Sequence, residues 1–137
     1  MDIKYNLPEN VKISLTPKYI DTSDLELEQG KCFLNSYRIS KKYSNVDIIE
    51  GLIIFISIRN TAKILPHVWN KENHSHFDVT IEKVLSKLEE MQETKYIDYF
   101  VIKNHHAKDF KNGDTFEFCE DTLFRVNELN EILKKKA

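Results

Sequence analysis

The stretch VDIIEGLIIFISI, residues 46–58, constrains this chain more than any other. It is apolar and β-branched at most positions, without the alternation of a strand that has one wet face. A strand of that kind is covered on both faces, which makes it the centre of a sheet. Gly51 interrupts the run, and a glycine inside a strand marks a bulge or a close approach by another group. The run is too short to cross a bilayer as a helix, which takes about 20 residues. The rest of the chain must therefore supply neighbouring strands and helices to cover it.

The remaining segments fit that demand. NVKISLT (10–16) alternates Val11, Ile13 and Leu15, the period of a half-buried strand, and Pro17 closes it. DTSDLELEQ (21–29) offers Thr22 or Ser23 as an N-cap and Gly30 as a stop, which predicts a short helix. Over residues 31–44, Cys32, Asn35, Ser36, Ile39 and Tyr43 fall on one helical face. KILPHVWN (63–70) reads as a strand interrupted by Pro66. HFDVT (76–80) reads as a short strand after the polar turn NKENHS, so 65–79 forms a hairpin. TIEKVLSKLEEMQ (80–92) carries the stripe Ile81, Val84, Leu85, Leu88 and Met91, with Thr80 as cap. A strand at 95–103, a turn and short strand at 111–118 and a closing helix at 120–136 complete the chain. Helix first, then an antiparallel sheet, then mixed elements is an α+β order. Three glycines and three prolines in 137 residues leave little material for a hinge, so residues 1–137 are expected to form a single domain.

Composition excludes several classes. The formal net charge is −2, which argues against a surface built to hold a phosphate backbone. The basic LKKK at 133–136 reads as a solvated helix end, where lysines oppose the helix dipole favourably. MDIKYNLPEN lacks the basic-then-apolar pattern of a signal peptide. Two distant cysteines are a poor disulfide framework. These observations predict a soluble cytoplasmic protein with reduced thiols, bound neither to nucleic acid nor to a membrane.

The chemistry is concentrated in two stretches. In KCFLNSYRIS (31–40), Cys32 opens the predicted helix. A cysteine attacks carbonyls only as thiolate, and a helix N-terminus and a neighbouring imidazole both favour that form. The same unpaired N–H groups can hold an oxyanion. In LPHVWNKENHSHFDVT (65–80), His67 and Asp78 sit on opposite arms of the hairpin. There the carboxylate can accept one ring N–H and fix the tautomer. Each residue also has a plainer role open to it: Cys32 as a small core side chain, His67 as a structural histidine, Asp78 as the cap of the helix at 80.

Together, GKCFLNSYRIS, HVWN and FDVT resemble the papain-like/transglutaminase-like superfamily, in which a cysteine opens a helix and H-x-W and D-x-T strands follow. The resemblance covers about residues 29–80. It implies an α+β fold whose N-terminal helix bears the cysteine and packs on an antiparallel sheet bearing the histidine and the aspartate. It further implies a thiol acyl-transfer site, with Cys32 as nucleophile, His67 as base and Asp78 as orienter, and no cofactor. The substrate or partner would be a protein or peptide. Peptidase, deamidase and transglutaminase chemistry all use these residues. Gln29, Asn35 and Trp69 are the candidates for substrate or oxyanion contacts. This sequence has DVT where D-P-T is commoner and Val68 where alanine is usual, and Gln29 lies closer to the cysteine than the oxyanion glutamine of papain-like enzymes. The rival reading is an inactive fold of the same kind that binds a protein partner as regulator or inhibitor.

Other candidates carry less. His74 and His76 with His67 lack the spacing of a metal site, so no metal is expected. Asn104–His105–His106 reads as an exposed loop. Cys119, with no helix start or paired histidine in view, reads as structural. Phe33, Tyr37, Phe55, Tyr96, Tyr99 and Phe100 read as core or cleft wall.

Overall fold

The structure, a computed structural model, describes residues 8–84 and 93–136. Six strands form one sheet: β1 (Glu9–Val11), β2 (Ile13–Ser14), β3 (Val46–Ser57), β4 (Ala62–Glu72), β5 (Ser75–Phe77) and β6 (Thr94–His105). Among the described residues two α-helices pack on it, α1 (Cys32–Lys42) and α2 (Glu120–Lys136). The fold is mixed α+β. No helix among the described residues is long and apolar enough to cross a membrane.

The strand order is β1-β6-β3-β4-β5-β2. Lys12 alone separates β1 from β2, yet the two strands lie at opposite ends of that order. The sheet therefore curls until its edges meet at residues 9–14. The segment expected to be one strand is two, paired with β6 and β5 respectively. The β2–β5 pair is parallel, which corrects the expectation of a wholly antiparallel sheet.

The apolar run is the central strand, paired along its length with β4 and with β6. Its two faces bury different clusters, as side-chain alternation requires. Leu52 packs with Ile64 and Phe100 under Val126 and Leu129 of α2. Ile48 packs with Val68 under Phe33 of α1. On the other face, Ile49, Ile53, Trp69 and Tyr99 fill the inside of the curl with Val11 and Ile13. Gly51 is both a bulge and a close-approach point. The β3–β6 register shifts between Glu50 and Gly51, and a Cβ at Gly51 would lie 2.1 Å from the Phe100 carbonyl oxygen and 2.7 Å from the Trp69 ring.

Pro66 does not interrupt β4, which runs unbroken from Ala62 to Glu72. The Val68 N–H is directed to the Cys32 sulfur, away from β3, and Pro66 lies two residues earlier. Nitrogens two residues apart in a strand face the same side, so the missing N–H of Pro66 belongs to the edge and costs no ladder bond.

Two expected elements are absent. Residues 21–29 form turns, not a helix, because side chains of α1 and its C-terminal cap take their backbone groups. Asn35 bonds both the N–H and the carbonyl of Glu28, Arg38 donates to the Glu26 carbonyl, and Tyr43 Oη accepts the Asp21 N–H. Leu25 and Leu27 meanwhile pack against the Ile20–Ile39–Phe77 cluster. Gly30, at φ +77°, makes the turn into α1 and ends no helix. Residues 111–118 form no strand either. Gly113 is buried beneath Leu34 and Tyr37, and Phe116 and Phe118 pack with Phe33, so ring packing holds this segment without a ladder. Of the helix expected at 80–92, Thr80–Val84 form a π-helical turn, and residues 85–92 lie outside the described residues.

His105 and Cys119 also differ from expectation. His105 ends β6, largely buried, and its Nε2 lies 2.9 Å from Glu50 Oε1. Cys119 directly precedes α2, so it does stand at a helix start. Its N–H donates to Glu50 Oε2 at 2.8 Å, where the Thr122 hydroxyl also donates. The Glu50 carboxylate thus ties the start of α2 to the bulge of β3. Burial alone would raise its pKa, but the bonds from Thr122, His105 and Cys119 outweigh it and hold the pKa below the usual glutamate value.

Candidate active site

Cys32 is the first residue of α1, and the capping residue, Lys31, makes no side-chain cap. Asn35 is the first residue of the segment to bond back, to the Lys31 carbonyl. The N–H groups of Cys32, Phe33 and Leu34 therefore have no partner within the helix. Residues 30–34 line an open cleft of about 340 Å³, and Gly113, Asp114, Phe116 and Phe118 form its other wall. The nucleophile candidate and the first residues of α1 thus line the same space.

His67 reaches this point from β4. The β4–β5 ladder ends at the Asn70–Phe77 pair, one residue short of Asp78. Asp78 leaves the sheet as β5 stops, and its Oδ2 lies 2.7 Å from His67 Nε2. Both side chains are almost wholly buried, at 7% and 2% exposure. With Nε2 engaged, Nδ1 is the ring nitrogen left for the Cys32 thiol, and the two side chains lie close enough for each to shift the other's pKa.

The electrostatics follow from these contacts. Burial alone would disfavour a charged His67, but the Asp78 carboxylate and the Cys32 sulfur overcome it and raise the imidazole pKa to about 10. Burial would also raise the Cys32 thiol. The hydrogen bond and charge of His67, with the Val68 N–H, outweigh both burial and the more distant Asp78, so the thiol is lowered. Both shifts favour the charged thiolate–imidazolium pair over the neutral one.

Asp78 holds the His67 ring and caps the turn that follows. Oδ1 accepts the Ile81 N–H at 3.2 Å, while Oδ2 accepts from His67 and from the Tyr99 hydroxyl at 2.7 Å. Tyr99 is the residue that sequence reasoning missed, grouped there with the core aromatics. It stands on β6 opposite Ile53, and only the strand order brings it to the carboxylate.

The other candidates are placed differently. Asn35 is fully buried, with its amide committed to Glu28 and to Thr80 Oγ1. It ties the turn before Cys32 to the residues after Asp78, and no polar atom remains for substrate. Trp69 is also fully buried, flanked by His67 and Tyr99, and its Nε1 donates to His76 Nδ1. It is a wall behind the imidazole, not a substrate contact. Gln29 is exposed and is not among the residues lining the cleft. Among the described residues no group of three histidine, cysteine or acidic side chains could hold a metal ion.

No family model, no curated protein and no solved structure matches this chain.

Proposed function

We propose that this chain is a cysteine-dependent hydrolase or acyltransferase of papain-like or transglutaminase-like type, acting on an amide or thioester of a protein or peptide. The observation that carries the reading is the Asp78–His67 hydrogen bond beside Cys32, with the thiol at the uncapped start of a helix and on an open cleft. The Cys32 thiolate adds to the carbonyl carbon, and the N–H groups opening α1 receive the developing oxyanion. Collapse of the tetrahedral adduct breaks the bond to the leaving group, which takes its proton from the His67 imidazolium and leaves a thioester on Cys32. Neutral His67 then removes a proton from water or an incoming amine as it attacks, and regains the imidazolium as the thiolate departs. Asp78 holds the ring in the tautomer that keeps Nδ1 toward sulfur throughout.

An activated ester tests this without knowledge of the natural substrate. Folded protein treated with p-nitrophenyl acetate should form a thioester on Cys32, located by peptide mass spectrometry and abolished in His67→Ala. Acetylation confined to lysines, or equal on Cys119, would leave the fold as a binding module in which these residues only pack.

A further inference from the structure

A second cavity, of about 580 Å³, opens where the edges of the curled sheet meet, and it shares no lining residue with the Cys32 cleft. We propose that it binds a small organic anion, a phosphate or carboxylate head on a short apolar body. Lys12 and Lys71 line it, and neither is paired with a carboxylate among the described residues. Lys71 and His76 are cross-strand partners on β4 and β5, and His76 pairs with Ile13 of β2, which brings Lys12 and Ser14 alongside.

His76 supplies a donor whose state is fixed. Its Nδ1 lies 3.0 Å from Trp69 Nε1, and an indole N–H can only donate. Nδ1 must therefore keep its lone pair, and the ring proton resides on Nε2, which has no acceptor among the described residues. Burial and the neighbouring Lys71 lower the pKa of this imidazole, against the opposing pull of Glu9. His76 is thus held as a neutral N–H donor on the cavity lining. Ser14, Ser75 and Asn104 add hydroxyl and amide groups, while Val11, Ile49 and Val101 give an apolar floor. The charged groups around the cavity are Lys12, Lys71 and Glu9, with His74 exposed at the rim, so the balance favours an anion. Lysines act as point charges without the planar fork of arginine, so they suit a phosphate and a carboxylate alike.

NMR of the full chain, following the His76 imidazole, tests the site with phenyl phosphate, benzoate and neutral phenol. At least one anion should shift the His76 signals saturably, and phenol should not. Lys12→Gln and Lys71→Gln, each checked by thermal melt, should weaken that binding by about tenfold. Tighter binding of phenyl phosphate identifies a phosphate head, and tighter binding of benzoate a carboxylate. Absence of a saturable shift with either anion, equal binding of phenol, or affinity indifferent to both lysine substitutions would overturn the proposal.

Discussion

Asp78→Asn tests how the carboxylate works, because the structure makes the outcome differ from loss of a cap. Three donors converge on Asp78: the His67 ring, the Tyr99 hydroxyl and the Ile81 N–H. As a cap for Ile81, asparagine is nearly equivalent to aspartate. At the Oδ2 position it is not. If the amide nitrogen faces His67, the imidazole must accept at Nε2 and carry its proton on Nδ1, pointed at Cys32, where it no longer acts as a base. If the amide oxygen faces His67, the nitrogen meets the Ile81 N–H and a buried donor goes unpaired, at about 1–3 kcal/mol. Either way the bond to a charged acceptor is lost, worth about 1.5–3 kcal/mol, or roughly one to two units in the His67 pKa. Each unit gained or lost in thiol pKa changes the thiolate fraction tenfold at low pH, but intrinsic nucleophilicity gives back about threefold. Alkylation of Cys32 at pH 6 should thus slow by roughly three- to tenfold in Asp78→Asn. Iodoacetamide labelling read by mass spectrometry gives the rate, and NMR titration gives the His67 pKa. An unchanged His67 pKa with unchanged labelling would refute the argument and leave Asp78 as a cap alone.

Tyr99→Phe should behave in the opposite sense: it removes a donor from Asp78 and leaves the carboxylate more strongly negative toward His67. Thermal melts should show a loss of about 1–2 kcal/mol while Cys32 labelling is not slowed; slowing as large as in Asp78→Asn would contradict this. Gly51→Ala places a Cβ against the Phe100 backbone and the Trp69 ring, and should cost about 1–3 kcal/mol by chemical denaturation, a neutral result meaning that the bulge is not closed as described. The raised His67 pKa also sets a pH dependence. A group whose folded pKa is raised stabilises fully below its unfolded value, near 6.5, and loses that contribution as pH rises toward its folded value of about 10. The lowered Cys32 thiol has the opposite sign, so the two offset one another from pH 7 to about 8.5, and melting temperature should fall from there to pH 10 in the wild type and fall less in Asp78→Asn; parallel profiles would exclude the pair as the cause.

What could be read from the sequence, and what could not, divides along local and non-local lines. β3, α1 and α2 follow from apolar patterning within one segment, and they formed within one or two residues of the expected bounds. Cys32 at a helix start, and His67 and Asp78 on two arms of a hairpin, are also short-range relations. The geometry keeps all three together because β5 ends immediately before Asp78. Residues 21–29 carried a helix signal that lost to Asn35, Arg38 and Tyr43, which took their backbone groups from outside the segment. Asn35 and Trp69 looked available for substrate because nothing local reveals that Glu28, Thr80 and His76 claim their polar atoms. Tyr99 at Asp78 and His105 at Glu50 depend on the position of β6 between β1 and β3, a consequence of sheet order that no periodicity encodes.

The account rests on Cys32 being a thiolate paired with His67, and the pH profile of its alkylation measures that directly, with Cys119 as a reference in the same molecule. Ordinary thiols titrate near 8.5, so below that value labelling of a thiol of that kind falls about tenfold per pH unit. Cys32 should depart from this line, its labelling beginning to fall at a lower pH, because the imidazolium and the Val68 N–H lower its pKa. A Cys32 profile that falls in parallel with that of Cys119 from pH 8 to pH 5 would contradict the central claim.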